Sequence, residues 1–282
     1  MNLVPKKLNI AFWFGSVMHK GNEFVPLISK LEGKALLDKI YTAMDKESKK
    51  ASKGYTILPN VKDEMALMIK MGRLMIATYI EIYGKELKSF DLTYLEVPFQ
   101  KKLKNCPVLF EGTVDALGRK KKANWLKEIK TAACITAEYF ARLKFDKQIN
   151  GYAIGAKEIT GAYPAGCDYV VFRKPSIRVK QNESVPQYLK RLKIDLHKRA
   201  DWYYLKEELR FGKQAIEAVL NDIEWETFDL WSKYNFLTQK QLLNPYNWAR
   251  NAGACFNFGV CPYFLLCRKC QQYKLYLPLY RM

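Results

Sequence analysis

An α/β fold, with helices flanking a small mixed β-sheet, is what this 282-residue sequence predicts, and three observations predict it. Apolar residues recur at helical spacing over two early stretches, 16–48 and 62–84. The segment FEGTVDALGRKKKANWLKEIKTA (110–132) then holds two runs rich in Val, Leu, Ile, Trp and Thr around a glycine-containing basic connector, which is the pattern of a β-hairpin. Beyond it a helical stretch leads to the strand-like CDYVVFRK. An apolar content of 49%, including 14% aromatic residues, is enough to fill a sizeable core, which excludes a disordered chain.

The elements follow in order. Val17, Phe24, Leu27, Leu31 and Ile40 give 16–48 its helical period, with a break near Gly33. The strongly apolar 62–84 is a helix ending at Gly84. Leu92 to Pro98 is a strand, and the hairpin strands are 110–117 and 124–131, joined by LGRKKKAN. A helix over about 136–157, a strand at 167–174 and a long charged helix from about 185 to 220 complete the list. We find no internal repeat and no low-complexity linker. The expected division is a core at 1–215 and a helical, cysteine-rich C-terminal lobe at 216–282 packed on it.

Charge narrows the function classes. Lys and Arg number 47 against 28 Asp and Glu, a net +19, which favours a polyanionic partner such as nucleic acid, with an acidic membrane surface as the lesser alternative. No apolar run approaches the ~20 residues that span a bilayer, and the opening MNLVPKKLNIAFWFGS is too short for a secretory apolar segment. The expectation is a soluble cytoplasmic protein in a reducing compartment, without membrane partners. Cys106, Cys134 and Cys167 are scattered singly and read as core packing.

Side chains alternate along a strand, so Glu128 and Lys130 share a face of the second hairpin strand. If Asp115 points the same way, two carboxylates and an ammonium converge. Like carboxylates repel, and one takes up a proton unless a cation neutralises them; a divalent metal resolves the conflict. The plainer alternative is a surface acid at Asp115 beside a Glu128–Lys130 ion pair worth under about 1 kcal/mol.

GTVD, then EIK, then Gln148 and Tyr152 in QINGY resemble the PD-(D/E)XK nuclease superfamily, and the Q-x-x-x-Y spacing resembles its RecB-like exonuclease branch. FWFGSVMHKGNE (12–23) is similar to the G-x-x-x-H helix of that branch, and CFNFGVCPYFLLC (255–267) to the cysteine-rich tail of its iron–sulfur members, which include CRISPR-associated and phage exonucleases. The resemblance implies a restriction-endonuclease-like core and metal-dependent DNA exonuclease activity in recombination, repair or phage DNA processing. It implies Mg²⁺ or Mn²⁺, able to polarise a phosphodiester, held by the hard oxygens of Asp115, Glu128 and the backbone carbonyl of Ile129 and by the His19 nitrogen, which suits Mn²⁺ better than Mg²⁺. Lys130 acts on the attacking water or the phosphate, while Gln148 and Tyr152 brace the site. Glu96, in YLEVPF, resembles an acid that precedes the hairpin in this family, and Glu23, one turn beyond His19, reads as a solvated residue, with a carboxylate that orients the imidazole as the alternative. Cys255, Cys261, Cys267 and Cys270 have thiolate-site spacing, suited to an iron–sulfur cluster or zinc. The resemblance favours a 4Fe–4S cluster over zinc. One ligand of such clusters normally precedes the G-x-x-x-H helix; here either the sequence is truncated at its N-terminus or Cys270 is the fourth ligand.

For DNA, as strand ends or single strands, the candidate contacts are Arg119, Lys120, Lys121, Lys122, Lys190 and Arg191, with Trp202, Tyr203 and Tyr204 available for stacking. Trp225, Trp231 and Trp248 read as anchors of the C-terminal lobe. A helicase or single-strand annealing protein is the expected protein partner. The alternative function is a catalytically idle DNA-binding or recruitment protein of the same fold.

Overall fold

The computed structural model describes residues 4–5, 8–238, 241 and 280–281. Helix α1 (Ile10–Asn22) begins earlier than its apolar period indicates, because the Asn9 side chain accepts hydrogen bonds from the Ala11 and Phe12 amides and caps it. A 3₁₀ turn at Val25–Ser29 separates it from α2 (Gly33–Ser52), so the predicted break near Gly33 is present. Helix α3 (Pro59–Lys88) starts with proline in its first turn and runs through Gly84, which packs against Ile28 instead of ending the helix.

Five strands form the main sheet in the order β2-β3-β4-β5-β6, with β4 and β5 parallel and the other neighbours antiparallel. They are β2 (Asp91–Lys102), β3 (Leu109–Lys120), β4 (Ala123–Ala132), β5 (Gly166–Arg173) and β6 (Tyr204–Arg210). A separate antiparallel pair joins β1 (Val4–Pro5) to β7 (Tyr280–Arg281). The hairpin connector is tighter than the sequence suggests: Lys121 and Lys122 alone join β3 to β4, both at positive φ, as a type I′ turn requires.

Two expected helices are not continuous. The segment 136–157 divides into α4 (Ala137–Ala141), a 3₁₀ turn at Arg142–Phe145 and α5 (Lys147–Thr160). Asp146 makes the division, because its carboxylate accepts from the Gln148 and Ile149 amides and caps α5. The charged helix expected at 185–220 becomes α6 (Val185–Lys198), the short α7 (Ala200–Tyr203), strand β6 and α8 (Lys213–Phe236). YLKEELR has helix-forming residues but sits on the sheet edge, where one exposed row of charged side chains is tolerated and discourages pairing with other chains.

Helices cover both sheet faces. Ile129, Val170 and Phe172 pack against α1, α3 and α6 on one face, with Trp13, Val17, Met75 and Leu192 fully or almost fully buried. Leu126, Tyr169 and Val171 pack on the other face against Ile149 and Ala153 of α5 and Ile216 and Leu220 of α8. Trp225, expected as an anchor, is 67% exposed on α8; Trp248 lies outside the described residues. No helix among the described residues is long and apolar enough to cross a membrane.

Helix α5 lies unusually close to the sheet. A Cβ on Gly155 would stand 2.4 Å from the Phe99 ring, and one on Gly151 would stand 3.3 Å from Phe110. That approach carries Tyr152 toward β3. Gly155→Val should therefore cost about 1–3 kcal/mol of stability, measured by urea unfolding. Gly15→Ala, where a Cβ meets nothing within 4 Å, should be neutral or stabilising by up to about 1 kcal/mol. Equal effects of the two substitutions would rule out the close packing of α5.

Candidate functional site

The site forms where the hairpin opens. Leu117↔Leu126 is the last paired position of β3 and β4 on the side away from the turn. Continuing the same register would set Asp115 opposite Glu128, but the strands have parted there and their hydrogen-bond ladder has ended. The opening lets α1 reach the carboxylates from one face and α5 from the other.

Glu128 is 1% exposed, and neither of its carboxylate oxygens accepts a well-directed hydrogen bond among the described residues. Lys130 Nζ stands 2.5 Å from Glu128 Oε1, as the shared face predicts. Burial, reinforced by the Asp115 carboxylate and opposed by Lys130, pushes the Glu128 carboxyl up to about 8. Burial lowers the Lys130 pKa, but the neighbouring Glu128 and Asp115 outweigh it and the ammonium is held above its usual range.

Helix α5 supplies a relay. Gln148 Nε2 donates to Tyr152 Oη at 2.9 Å, and Tyr152 Oη donates to Asp115 Oδ1 at 2.8 Å. The Q-x-x-x-Y spacing thus places both side chains on one helix face, aimed at the first carboxylate. Burial and the nearby Glu128 and Asp115 charges raise the Tyr152 pKa far above that of a free phenol, so the hydroxyl remains a donor.

Helix α1 supplies His19. Its Nδ1 lies 3.9 Å from Asp115 Oδ2, and its Nε2 lies 3.2 Å from Glu23 Oε1. Glu23 is 6% exposed and also stands 2.6 Å from Lys20 Nζ, so the expected solvated residue is in fact a buried partner of the histidine. The i, i+4 spacing from His19 was the available signal. Glu96 also joins the group. It falls opposite Asp115 between the pairs Leu95↔Ala116 and Val97↔Val114, with a left-handed φ of 50° inside a strand and Lys20 Nζ 3.9 Å from Oε2. Such a backbone costs on the order of 1–3 kcal/mol. Burial, then Glu23 and Asp115, push its carboxyl up to about 7 against the opposing pull of Lys20.

Two spaces adjoin these groups. His19, Asn22, Glu23, Asp115 and Ile129 help to line a cavity of about 10 Å³, room for one water-sized particle. Gly15, Ser16, His19, Lys130, Thr131 and Gln148 line an open cleft of about 340 Å³. Among the described residues, no three His, Cys, Asp or Glu side chains converge tightly enough to enclose a metal as they stand. The donor set nevertheless fits a divalent cation, because Asp115 and the His19 imidazole border the one-particle cavity and the buried Glu128 carboxylate, whose charge Lys130 alone offsets, lies next to Asp115.

The expected DNA contacts do not gather at this site. The turn of Arg119 to Lys122 lies at the opposite end of β4, some six residues from Glu128, or about 20 Å at the strand rise. Lys120 there is paired with Asp168 at 2.7 Å and Glu208 at 2.8 Å. On α6, Arg191 is paired with Glu183 at 2.6 Å, while Lys190 is exposed. Tyr203 and Tyr204 are buried and cannot stack a base; Trp202 is partly accessible. Cys255, Cys261, Cys267 and Cys270 lie outside the described residues. No protein-family model matches the chain, and no curated protein matches it.

The raised carboxyls make a pH prediction for metal-free protein. Glu128 and Glu96 keep protons in the native state that the unfolded chain releases near its ordinary value of 4.5. Stability should accordingly be greatest below about pH 4.5 as far as these groups are concerned, and fall as pH rises through about 7 to 8. Urea midpoints in EDTA over that window should fall with pH for the wild type and fall less steeply for Glu128→Gln. Parallel curves would contradict the buried, protonated Glu128.

Proposed function

We propose that this chain is a metal-dependent nuclease that hydrolyses DNA phosphodiester bonds, with a restriction-endonuclease-like core of the RecB-like exonuclease type. The observation that carries the reading is the convergence of Asp115, Glu128 and Lys130 at the open end of the β3–β4 hairpin, with His19 and Tyr152 reaching in from opposite faces. Strand alternation and the family resemblance singled these residues out in the sequence, and their grouping in space supports the reading. A net charge of +19 supports a polyanionic substrate.

The chemistry divides among the groups. His19, Asp115, Glu128 and the Ile129 carbonyl would hold Mg²⁺ or Mn²⁺, which supplies Lewis-acid charge at a phosphoryl oxygen and lowers the pKa of a water. Lys130 remains an ammonium through its contact with Glu128, so it acts as a point charge and donor toward water or phosphate rather than as a base. Tyr152 donates to one Asp115 oxygen and fixes the plane of that carboxylate, leaving Oδ2 on the His19 side. Gln148 holds the Tyr152 hydroxyl, and its side chain also borders the cleft where a strand would lie. Glu23 orients the imidazole from behind. The intact set of acids and lysine favours turnover over an idle DNA-binding role.

The test is hydrolysis of end-labelled single- and double-stranded DNA with Mg²⁺, Mn²⁺ or EDTA. Asp115→Asn and Glu128→Gln should each reduce cleavage by about 10²- to 10³-fold or more, and Lys130→Ala by a similar factor. Metal binding separates their roles: Mn²⁺ should raise the thermal midpoint of the wild type and of Lys130→Ala, but not of Asp115→Asn. Cleavage that persists in Asp115→Asn, or in EDTA, would overturn the proposal.

A further inference from the structure

Two of the six cations expected from sequence to bind DNA, Lys120 and Arg191, are occupied within the fold, and so are Lys193 and Arg199 near Arg191. Arg191 is held by Glu183, Lys193 by Glu81, Arg199 by Asp195, and Lys120 by Asp168 and Glu208. Arg173 is different. It closes β5 and pairs with Ala132, two residues beyond Lys130 on β4. Among the described residues no carboxylate lies within ion-pair distance of its guanidinium; it has only the Trp202 carbonyl, which accepts from Nε at 3.0 Å, and the Trp202 ring, whose centroid is 4.5 Å from Cζ.

Its position connects it to the site. Alternation starts the Arg173 side chain on the sheet face that carries Glu128 and Lys130, and its guanidinium ends against Trp202 of α7, the segment that leads into the edge strand β6. Two residues of strand rise and one strand spacing separate Lys130 from Arg173, about 8 Å between Cα atoms. The indole is fixed in turn. Arg199 Cζ lies 4.7 Å from the Trp202 centroid, and Arg199 is anchored by Asp195 and by Tyr203 Oη at 2.9 Å. Trp202 keeps 36% of its surface exposed. The arrangement is a guanidinium whose terminal N–H groups have no hydrogen-bond acceptor among the described residues, set over an aromatic ring that Arg199 contacts as well.

We propose that Arg173, supported by Trp202, is a phosphate-binding subsite for the nucleotide next to the scissile bond on a single-stranded DNA segment. This assignment rests on the nuclease reading and adds to it a specific contact that the basic turn and α6 do not provide. A planar guanidinium takes a phosphate through two parallel hydrogen bonds. Trp202 acts as a positioning residue, since it sets the plane of the guanidinium without itself carrying charge.

The experiment is fluorescence anisotropy of a labelled oligothymidylate titrated with the full chain in EDTA, repeated across a salt series, with cleavage in Mn²⁺ measured in parallel. Arg173→Gln should weaken binding about ten-fold and reduce the slope of log affinity against log salt by about 0.7, the share of one phosphate on a single strand. Arg173→Lys should keep the slope and lose part of the affinity, because the charge remains while the paired donors are gone. Trp202→Leu should likewise weaken binding without changing the slope. Thermal melting identifies any variant that fails to fold, and Arg173→Lys then carries the test. Wild-type affinity and slope in Arg173→Gln, in a protein that still cleaves DNA, overturns the subsite and leaves the nuclease reading intact. A wild-type chain that neither binds nor cleaves DNA overturns both.

Discussion

The parting of β3 and β4 beyond Leu117 and Leu126 is the constraint on which the site depends. A hairpin that stayed zipped would bury Asp115 and Glu128 against each other across the ladder, with no access from α1. Once the strands separate, β3 remains paired only with β2 and β4 only with β5, and a gap opens in an otherwise continuous sheet. Neighbouring elements are arranged around it. The absence of a side chain at Gly155 lets α5 sit low enough for Tyr152 to reach Asp115, and the Asn9 cap starts α1 early enough for His19 to face the gap.

The electrostatics of that gap work against stability. Glu128 is buried with one ammonium beside it and another carboxylate opposite, and Glu96 adds a third acid on a strained backbone. A buried charge without full compensation costs several kcal/mol, and a core built for stability alone would place apolar residues there. Functional sites are where such costs are retained. Lys127 provides a contrast from the adjacent position on the same strand. It too is buried and burial depresses its pKa, with Asp168 at 3.9 Å, but it lies over the Phe90 ring on the face opposite Glu128, where it borders the small cavity shared by His19 and Asp115.

How far the sequence can be read depends on how local each signal is. Strand alternation and the i, i+4 helix rule are short-range, and they placed Glu128 with Lys130 and Gln148 with Tyr152. The hairpin was legible for the same reason, although its turn was read too long because lysines at positive φ lack the usual Asn-Gly signature. Strand β6 was hidden because Lys, Glu, Leu and Arg favour helices, and only its place at the sheet edge decides otherwise. The place of Glu96 was missed since it depends on a contact between α1 and β2 that no local pattern reports, whereas Glu23 carried a local signal in its i, i+4 spacing from His19 and was misjudged only in its burial. A count of basic residues does not say which of them are available, because a lysine's effect on a partner depends on whether a carboxylate already holds it.

Strand β4 has one neighbour next to it in sequence and another that arrives after a helical excursion, since β3 precedes it by a two-residue turn while β5 begins only at Gly166. During synthesis the hairpin can therefore form well before Glu128 is covered. Until α5 and β5 dock, that glutamate stays hydrated, with the ordinary acidity of a surface carboxylate. The burial that raises its pKa and the Tyr152 contact both need elements C-terminal to the hairpin, so a nascent chain that ends before Tyr152 cannot hold the assembled group. The interval between making the acids and arming them is set by the order of elements along the chain.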